Sequence, residues 1–178
     1  MSCAEPDENA PLALVDLGDT LAECTPALDA ALARLGTPDN EASEERRRAM
    51  LATTGFWSSL SPRAAGLSLL PLLRDAGYRV AVLTKGPRDA PQVWADKVAW
   101  CRKHLPGVSV IVTDDKMLVR GDVLVDDWLP YVERWQRHWP DALAIVPAQP
   151  WNVQMTTGPR RLRDDGHDRA ALAAALKR

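Results

Sequence analysis

The sequence predicts an α/β protein built on a mainly parallel sheet with helices on both faces. Three observations point there: short apolar runs alternate with helix-length amphipathic segments, the alternation becomes regular from residue 78 onward, and polar residues suited to catalysis stand directly after the apolar runs.

The first apolar run, Leu12-Ala13-Leu14-Val15, leads into the turn Asp16-Leu17-Gly18-Asp19; residues 1–10 before it read as a disordered lead-in. From Pro26 to Leu35 apolar residues recur at helical spacing, and Gly36 closes the segment. A more polar helix is predicted from Asp39 to about Thr53, broken by Thr54-Gly55. Leu60-Ser61-Pro62 is a turn, and Ala64 to Ala76 forms an amphipathic helix stopped by Gly77. Strands then follow at Tyr78–Leu83, Val108–Val112, Val123–Val125 and Ala142–Val146, with helices at Ala90–His104 and Pro130–His138 between them and a closing helix at Asp168–Lys177. The polar helical stretch 22–60 interrupts this rhythm straight after the first strand. It reads as a small helical cap inserted into a core made of residues 11–21 and 61–178.

A chain of 178 residues is long enough for one well-buried core. A net charge of −2 supplies no broad basic field for duplex nucleic acid or an anionic membrane. Arg46-Arg47-Arg48 follows Glu41, Glu44 and Glu45 and reads as a solvated helix face. No apolar run approaches the roughly 20 residues of a membrane span, and the acidic N-terminus lacks the layout of a secretory signal. Cys3, Cys24 and Cys101 are odd in number and scattered, which suits reduced thiols and a cytoplasmic location. Cys101 and His104 share a helix, but two ligands do not make a zinc site; neither His104 nor His138 is given a role. Of the seven tryptophans, Trp94, Trp100, Trp128, Trp135 and Trp139 fall in helix-like segments and are expected in the core or between helices. The same tryptophans could bury a dimer face, so the oligomeric state stays open.

Ligands of open parallel sheets bind beyond the carboxyl ends of the strands. Asp16 follows the first strand, Thr84-Lys85-Gly86 the second, Thr113-Asp114-Asp115-Lys116 the third and Asp126-Asp127 the fourth, with Lys97 on the helix after the second. The chemistry that suits such a set is phosphoryl transfer through an aspartyl phosphate. A carboxylate that attacks an anionic phosphate needs a cation to neutralise both, and Mg²⁺ prefers hard oxygen ligands. Asp126 and Asp127 would hold the metal beside the nucleophile Asp16, Thr84 would hydrogen-bond a phosphate oxygen, and Lys97 would balance the transition-state charge. Capping of the next helix is the plainer reading of Asp126-Asp127, and a surface lysine that of Lys97.

These residues, in this order, resemble the haloacid dehalogenase (HAD) superfamily. Asp16-Leu17-Gly18-Asp19-Thr20-Leu21 stands at the Asp-x-Asp-x-Thr motif, Leu83-Thr84 at the second motif, Lys97 at the third, and Leu124-Val125-Asp126-Asp127 at the acidic fourth. Gly55-Phe56-Trp57 with Leu60-Ser61-Pro62, Asp96-Lys97-Val98-Ala99-Trp100, Thr113-Asp114-Asp115-Lys116, Gly121 to Asp127 and Pro150-Trp151-Asn152 look like the 5′(3′)-deoxyribonucleotidase branch. The resemblance implies a Rossmann-like core with a small cap, Mg²⁺ dependence and hydrolysis of (deoxy)nucleoside monophosphates. It implies that Phe56 and Trp57 line a nucleobase pocket, where a base can stack on an aromatic face. A hydrophobic hinge between cap and core is the alternative for that pair. Lys85 and Lys116 are assigned to the substrate.

The chain departs from the motif at Gly18, where the family carries the Asp that moves protons. Gly18 can still lend its carbonyl to a metal but cannot carry a proton. Asp19, one place on, is the candidate substitute. Two further readings therefore stand beside the first: a weak or inactive relative that binds a nucleotide or phosphorylated ligand, and a phosphatase for another small phosphoester.

Overall fold

The computed structural model describes residues 9–36, 43–153, 160–162 and 169–176. The expected lead-in lies mostly outside this range, as do the first residues of the predicted second helix.

Six parallel strands form one sheet: β1 (Leu12–Val15), β2 (Arg79–Lys85), β3 (Ser109–Thr113), β4 (Val123–Val125), β5 (Leu143–Pro147) and β6 (Arg160–Leu162), in the order β3-β2-β1-β4-β5-β6. Their helices are α1 (Cys24–Arg34), α2 (Glu44–Leu51), α3 (Ala64–Leu67), α4 (Leu69–Asp75), α5 (Pro91–His104), α6 (Leu129–His138) and α7 (Arg169–Leu176). After β1 the chain builds outward through β2 and β3, then returns to place β4 on the other side of β1. The order reverses between β1 and β4, which is where an open α/β sheet opens a crevice at its carboxyl edge.

Strand alternation assigns the two faces. Ala13, Val15, Val82 and Val123 point into the larger core cluster with Leu28 and Leu32 of α1, Leu73 of α4, Trp100 of α5 and Leu172 of α7. Leu14, Ala81, Leu83 and Leu124 point the other way, onto Trp135 of α6 and Met117. β1, β2, β4 and β5 are apolar on both faces, as a sheet covered on both sides requires.

Three expectations are corrected. The single helix read over 64–76 is two, broken at Ser68. Pro71 has no N–H to bond back to Leu67, and the Ser68 hydroxyl bonds Ala65 O at 2.6 Å instead of leaving the ladder intact. Trp128, expected in the core or between helices, is 49% exposed, whereas Trp100 and Trp135 are fully buried. And β2 runs on through Lys85, because its ladder with β3 continues to the Lys85–Thr113 pair.

Candidate active site

β1 and β4 run in register, Val15 beside Val125, so the next residues, Asp16 and Asp126, leave the sheet side by side. The Asp16 N–H extends the ladder by donating to Val125 O at 2.8 Å. Carboxylate oxygens of Asp16, Asp126 and Asp127 lie within 4.8 Å of one another. Asp126 is fully buried and Asp127 nearly so.

Lys116 binds this cluster together. It sits in the short helical turn Lys116–Leu118 after β3, where the Asp115 carboxylate accepts the Met117 N–H at 3.1 Å. Its buried Nζ donates to Asp16 Oδ1 at 2.5 Å and to Asp126 Oδ2 at 2.8 Å. Burial by itself would lower the Lys116 pKa, but Asp126 and Asp16 outweigh it and hold the ammonium above its ordinary range. The sequence reading gave Lys116 to the substrate and the charge-balancing role to Lys97; in the structure it is the Lys116 ammonium that bonds Asp16 and Asp126. Among the described residues, Lys97 makes no ion pair with these carboxylates.

Lys97 is not a surface lysine either. On α5, it is 5% exposed, and its Nζ donates to Thr84 Oγ1 at 3.1 Å and to Lys85 O at 2.7 Å. The Trp57 ring covers it, 3.7 Å from Nζ to the ring centroid. Burial pushes the Lys97 pKa down to about 8 despite the nearby Asp16 carboxylate.

Asp127 is held from three sides. Its Oδ1 accepts the Thr20 hydroxyl at 3.0 Å, its Oδ2 the Trp151 indole N–H at 3.0 Å, and its carbonyl the Asn152 amide at 3.1 Å. Burial, with Asp16 and Asp126 adding repulsion, pushes its carboxyl up to about 8. Asp126 is raised too, again chiefly by burial, with Lys116 opposing; its Oδ1 also accepts the Trp128 N–H at 2.9 Å, just ahead of α6, whose first turn takes no side-chain cap.

Gly18 and Asp19 continue the turn after β1, close enough that the Asp16 carboxylate acts on that of Asp19. A Cβ at Gly18 would lie 3.4 Å from two ring carbons of Trp57 and 3.7 Å from the Cys24 Cβ. Asp19 adopts φ 51°, a left-handed conformation that Asp tolerates better than most residues. Both its carboxylate oxygens accept from Thr25, from the N–H at 2.8 Å and the hydroxyl at 2.8 Å, which ties the carboxylate to the first turn of α1. Burial raises its pKa, with the Thr25 bonds opposing.

The Trp57 segment is fastened to α5 along one row of its surface. Gln92, Asp96 and Trp100, spaced at i, i+4 and i+8, bond Ala52 O at 2.9 Å, the Gly55 N–H at 2.6 Å and Leu60 O at 2.8 Å. Trp57 spends its own indole N–H on Leu51 O, 2.9 Å. Phe56 packs behind it, edge to face at 5.8 Å, and is nearly buried.

Two clefts open beside the site. One of about 490 Å³ is lined by Leu51, Ala52, Trp57, Val93 and Lys97 among others; the second, about 420 Å³, by Arg88, Asp114, Lys116 and Arg134. Lys85 and Tyr131 line both. Sequence reasoning missed Tyr131 and named Thr20, Trp151 and Asn152 only as parts of motifs, without a role; Thr20 and Asn152 are buried polar side chains, but only the tertiary pairing reveals what they hold.

The donor set fits a hard divalent cation. Three buried or half-buried carboxylates, all hard oxygen donors, converge here, and among the described residues one ammonium bonds them directly.

No curated protein sequence matches the chain. Solved structures do share its fold. A haloacid dehalogenase-like hydrolase from Burkholderia xenovorans aligns with a TM-score of 0.56 at 17% identity, covering 93% of this chain and 97% of that one. A HAD family hydrolase from Deinococcus radiodurans, solved with bound phosphate and sodium, aligns with a TM-score of 0.54 at 16% identity over 96% and 98%. At these identities the likeness establishes the fold alone. Among the described residues no helix is long and apolar enough to cross a membrane. The model of the family described as 5′ nucleotidase, deoxy (pyrimidine), cytosolic type C (NT5C), matches residues 35–163, a span that holds Thr84, Lys97, Lys116, Asp126 and Asp127. Matched over more than half its length and carrying the HAD-like fold, the chain belongs to this family of phosphatase-type, nucleotidase-like hydrolases.

Proposed function

We propose that the chain is a Mg²⁺-dependent phosphomonoester hydrolase that works through an aspartyl phosphate on Asp16, with (deoxy)nucleoside monophosphates as its substrates. The observation that carries this reading is the convergence of Asp16, Asp126 and Asp127 around Lys116 at the switch point of the sheet. Asp16, Asp126, Asp127 and the Gly18 carbonyl would hold the metal, which supplies charge neutralisation between carboxylate and phosphate.

The chain's own residues do the rest. Lys116 holds the Asp16 carboxylate in one orientation by its 2.5 Å bond, leaving the other oxygen to attack phosphorus. Thr84, fixed by Lys97, offers its hydroxyl to a phosphate oxygen. The apolar cleft beside Trp57 takes the non-phosphate part of the substrate. Trp57, which lines this cleft, is the candidate wall for a base, and Phe56 supports it from behind. Residues 22–60 act as the cap over this cleft, and the enzyme works in the cytoplasm, where reduced thiols persist.

Gly18 favours a second reading, a related fold that binds phosphates and turns them over slowly. General acid–base catalysis is typically worth about 10²–10⁴ in rate, so its loss leaves weak activity with binding intact. Phosphate release from a panel of nucleoside monophosphates, sugar phosphates and p-nitrophenyl phosphate with Mg²⁺ tests both, with Asp16→Asn as the blank. Nucleotide turnover above that blank supports the first reading. Binding of nucleotides without turnover selects the second, and turnover of other esters alone removes the nucleotide assignment.

A further inference from the structure

An alcohol leaving from phosphorus must have its developing negative charge met, and the groups nearest Asp16 are already engaged. Lys116 is bonded to Asp16 and Asp126, and Lys97 to Thr84 and the Lys85 carbonyl under the Trp57 ring. Asp127 is held by Thr20 and Trp151, and Asp19 by Thr25. Position 18 offers no side chain, and the Trp57 ring lies against it.

Lys85 is different. It is the last residue of β2, directly after Thr84, with an exposed side chain and, among the described residues, no ion pair. Its backbone is pinned, because its carbonyl accepts the Lys97 ammonium at 2.7 Å. Its own ammonium lies 5.2 Å from the centroid of the Tyr131 ring, and the Lys116 ammonium lies 5.4 Å from that same centroid. Tyr131 thus links the lysine that grips Asp16 to the lysine at the cleft mouth. Lys85 and Tyr131 line both clefts, so Lys85 borders the cleft that holds Lys116 and the one that holds Lys97 and Trp57.

Resting on the Asp16 reading above, we propose that Lys85 is a catalytic residue that serves the leaving group, in place of the carboxylate that position 18 lacks. As the free Asp16 oxygen bonds phosphorus, the ester P–O bond breaks and its electron pair stays on the leaving oxygen. The Lys85 ammonium gives that oxygen a proton and the alcohol departs. A water then attacks the phosphorus of the aspartyl phosphate and yields a proton to the neutral Lys85 amine, and the bond to Asp16 breaks. One water is consumed, alcohol and inorganic phosphate are released, and Asp16 and Lys85 return to their starting states.

The test is the dependence of rate on leaving-group acidity. Wild type, Lys85→Met and Lys85→Arg are compared with Mg²⁺ on phosphate esters ranging from p-nitrophenol through phenol to a nucleoside, with Asp16→Asn as the blank. Lys85→Met is expected to slow the p-nitrophenyl ester by only about threefold and the phenyl and nucleoside esters by about 100-fold, the scale of a lost general acid. Lys85→Arg keeps the charge but not a transferable proton, so it should restore KM without restoring kcat on the poor leaving groups. Equal slowing of every ester would make Lys85 a phosphate anchor and overturn the proposal, as would no slowing at all. If wild type fails to exceed the Asp16→Asn blank on any ester, the Asp16 reading itself falls and this proposal with it. Lys85 is exposed, so all variants should melt with wild type, which separates these outcomes from misfolding.

Discussion

Lys116 reaches Asp16 across 100 residues of sequence, its Nζ 2.5 Å from Oδ1, and the same ammonium holds Asp126 at 2.8 Å. The lysine is buried, so this is not a screened surface contact, and among the described residues Lys116 is the one cation paired directly with the desolvated acidic cluster. Breaking a buried ion pair leaves its partners uncompensated, which typically costs about 3–5 kcal/mol. Lys116→Met should therefore both abolish phosphate release and lower stability in denaturant titration of the metal-free protein. Saturating Mg²⁺ should return part of that stability, because the metal supplies charge to the same carboxylates. A variant that keeps wild-type stability without metal would show that the ammonium contributes no net compensation.

Asp127 makes the metal-free fold sensitive to pH. Its carboxyl is pushed up to about 8, so the folded chain keeps a proton that the unfolded chain, with an ordinary value of about 3.9, releases. The unfolded state binds fewer protons between those values, so Asp127's contribution to stability falls as pH rises from about 4 to 8. Melting temperatures measured with a chelator should show Asp127→Asn gaining on wild type as pH rises across that window. Added Mg²⁺ should stabilise wild type more at pH 8 than at pH 5.5, since binding no longer has to displace the proton, and should do less for the variant. Parallel melting curves for the two proteins at every pH would remove Asp127 as the titrating group.

Gly66 fixes the loop that carries Thr20. A Cβ there would lie 1.7 Å from the Thr20 carbonyl oxygen and 2.8 Å from its carbon, so α3 packs directly on this backbone. The approach is reinforced where the Arg63 N–H donates to Leu21 O at 2.8 Å and the Glu23 N–H to Ser61 O at 2.9 Å. Because the obstacle is backbone, Gly66→Ala has to move α3 or the loop, at a cost of about 1–3 kcal/mol or more. Reduced thermal stability together with weakened Mg²⁺ binding, through the Thr20–Asp127 bond, is the expected pair of effects. Unchanged stability would mean that the loop yields freely.

The α/β alternation was legible because each strand is a short apolar run, and the helices between them carry the longer period. β6 was not: Arg160-Arg161-Leu162 has no apolar alternation, and as an edge strand it pairs only with β5. The Asp16, Thr84, Asp126 and Asp127 positions stand out because each follows an apolar run in the sequence, a local pattern. What Lys116 does is not local. The strand-end pattern marks Lys116 as a residue for the substrate, and only the placing of β3 and β4 on opposite sides of β1 brings its ammonium onto Asp16 and Asp126. Lys97 drew attention for the reverse reason, since its motif spacing is readable but its burial under Trp57 is not.

Gly18 and Trp57 occupy one space between them, and that changes what restoring the missing carboxylate should do. The Cβ of Gly18→Asp would rest in van der Waals contact with two carbons of the Trp57 ring at 3.4 Å, so the ring limits the directions its carboxylate can take. Trp57 is itself held in place, by its indole bond to Leu51 O and by the row of α5 bonds to its segment. Gly18→Asp alone is therefore expected to raise nucleotide turnover by less than about tenfold, whereas with Trp57→Ala the gain should approach the 100-fold scale of a working general acid. Trp57→Ala will cost stability, about 3–5 kcal/mol for a buried Trp, so rates have to be compared within the Trp57→Ala background and below its melting transition. In the double variant the new carboxylate takes over the leaving group, so a further Lys85→Met should cost little there. A hundredfold gain from Gly18→Asp alone would show that the Trp57 ring yields, and that glycine at this position is not tied to the tryptophan beside it.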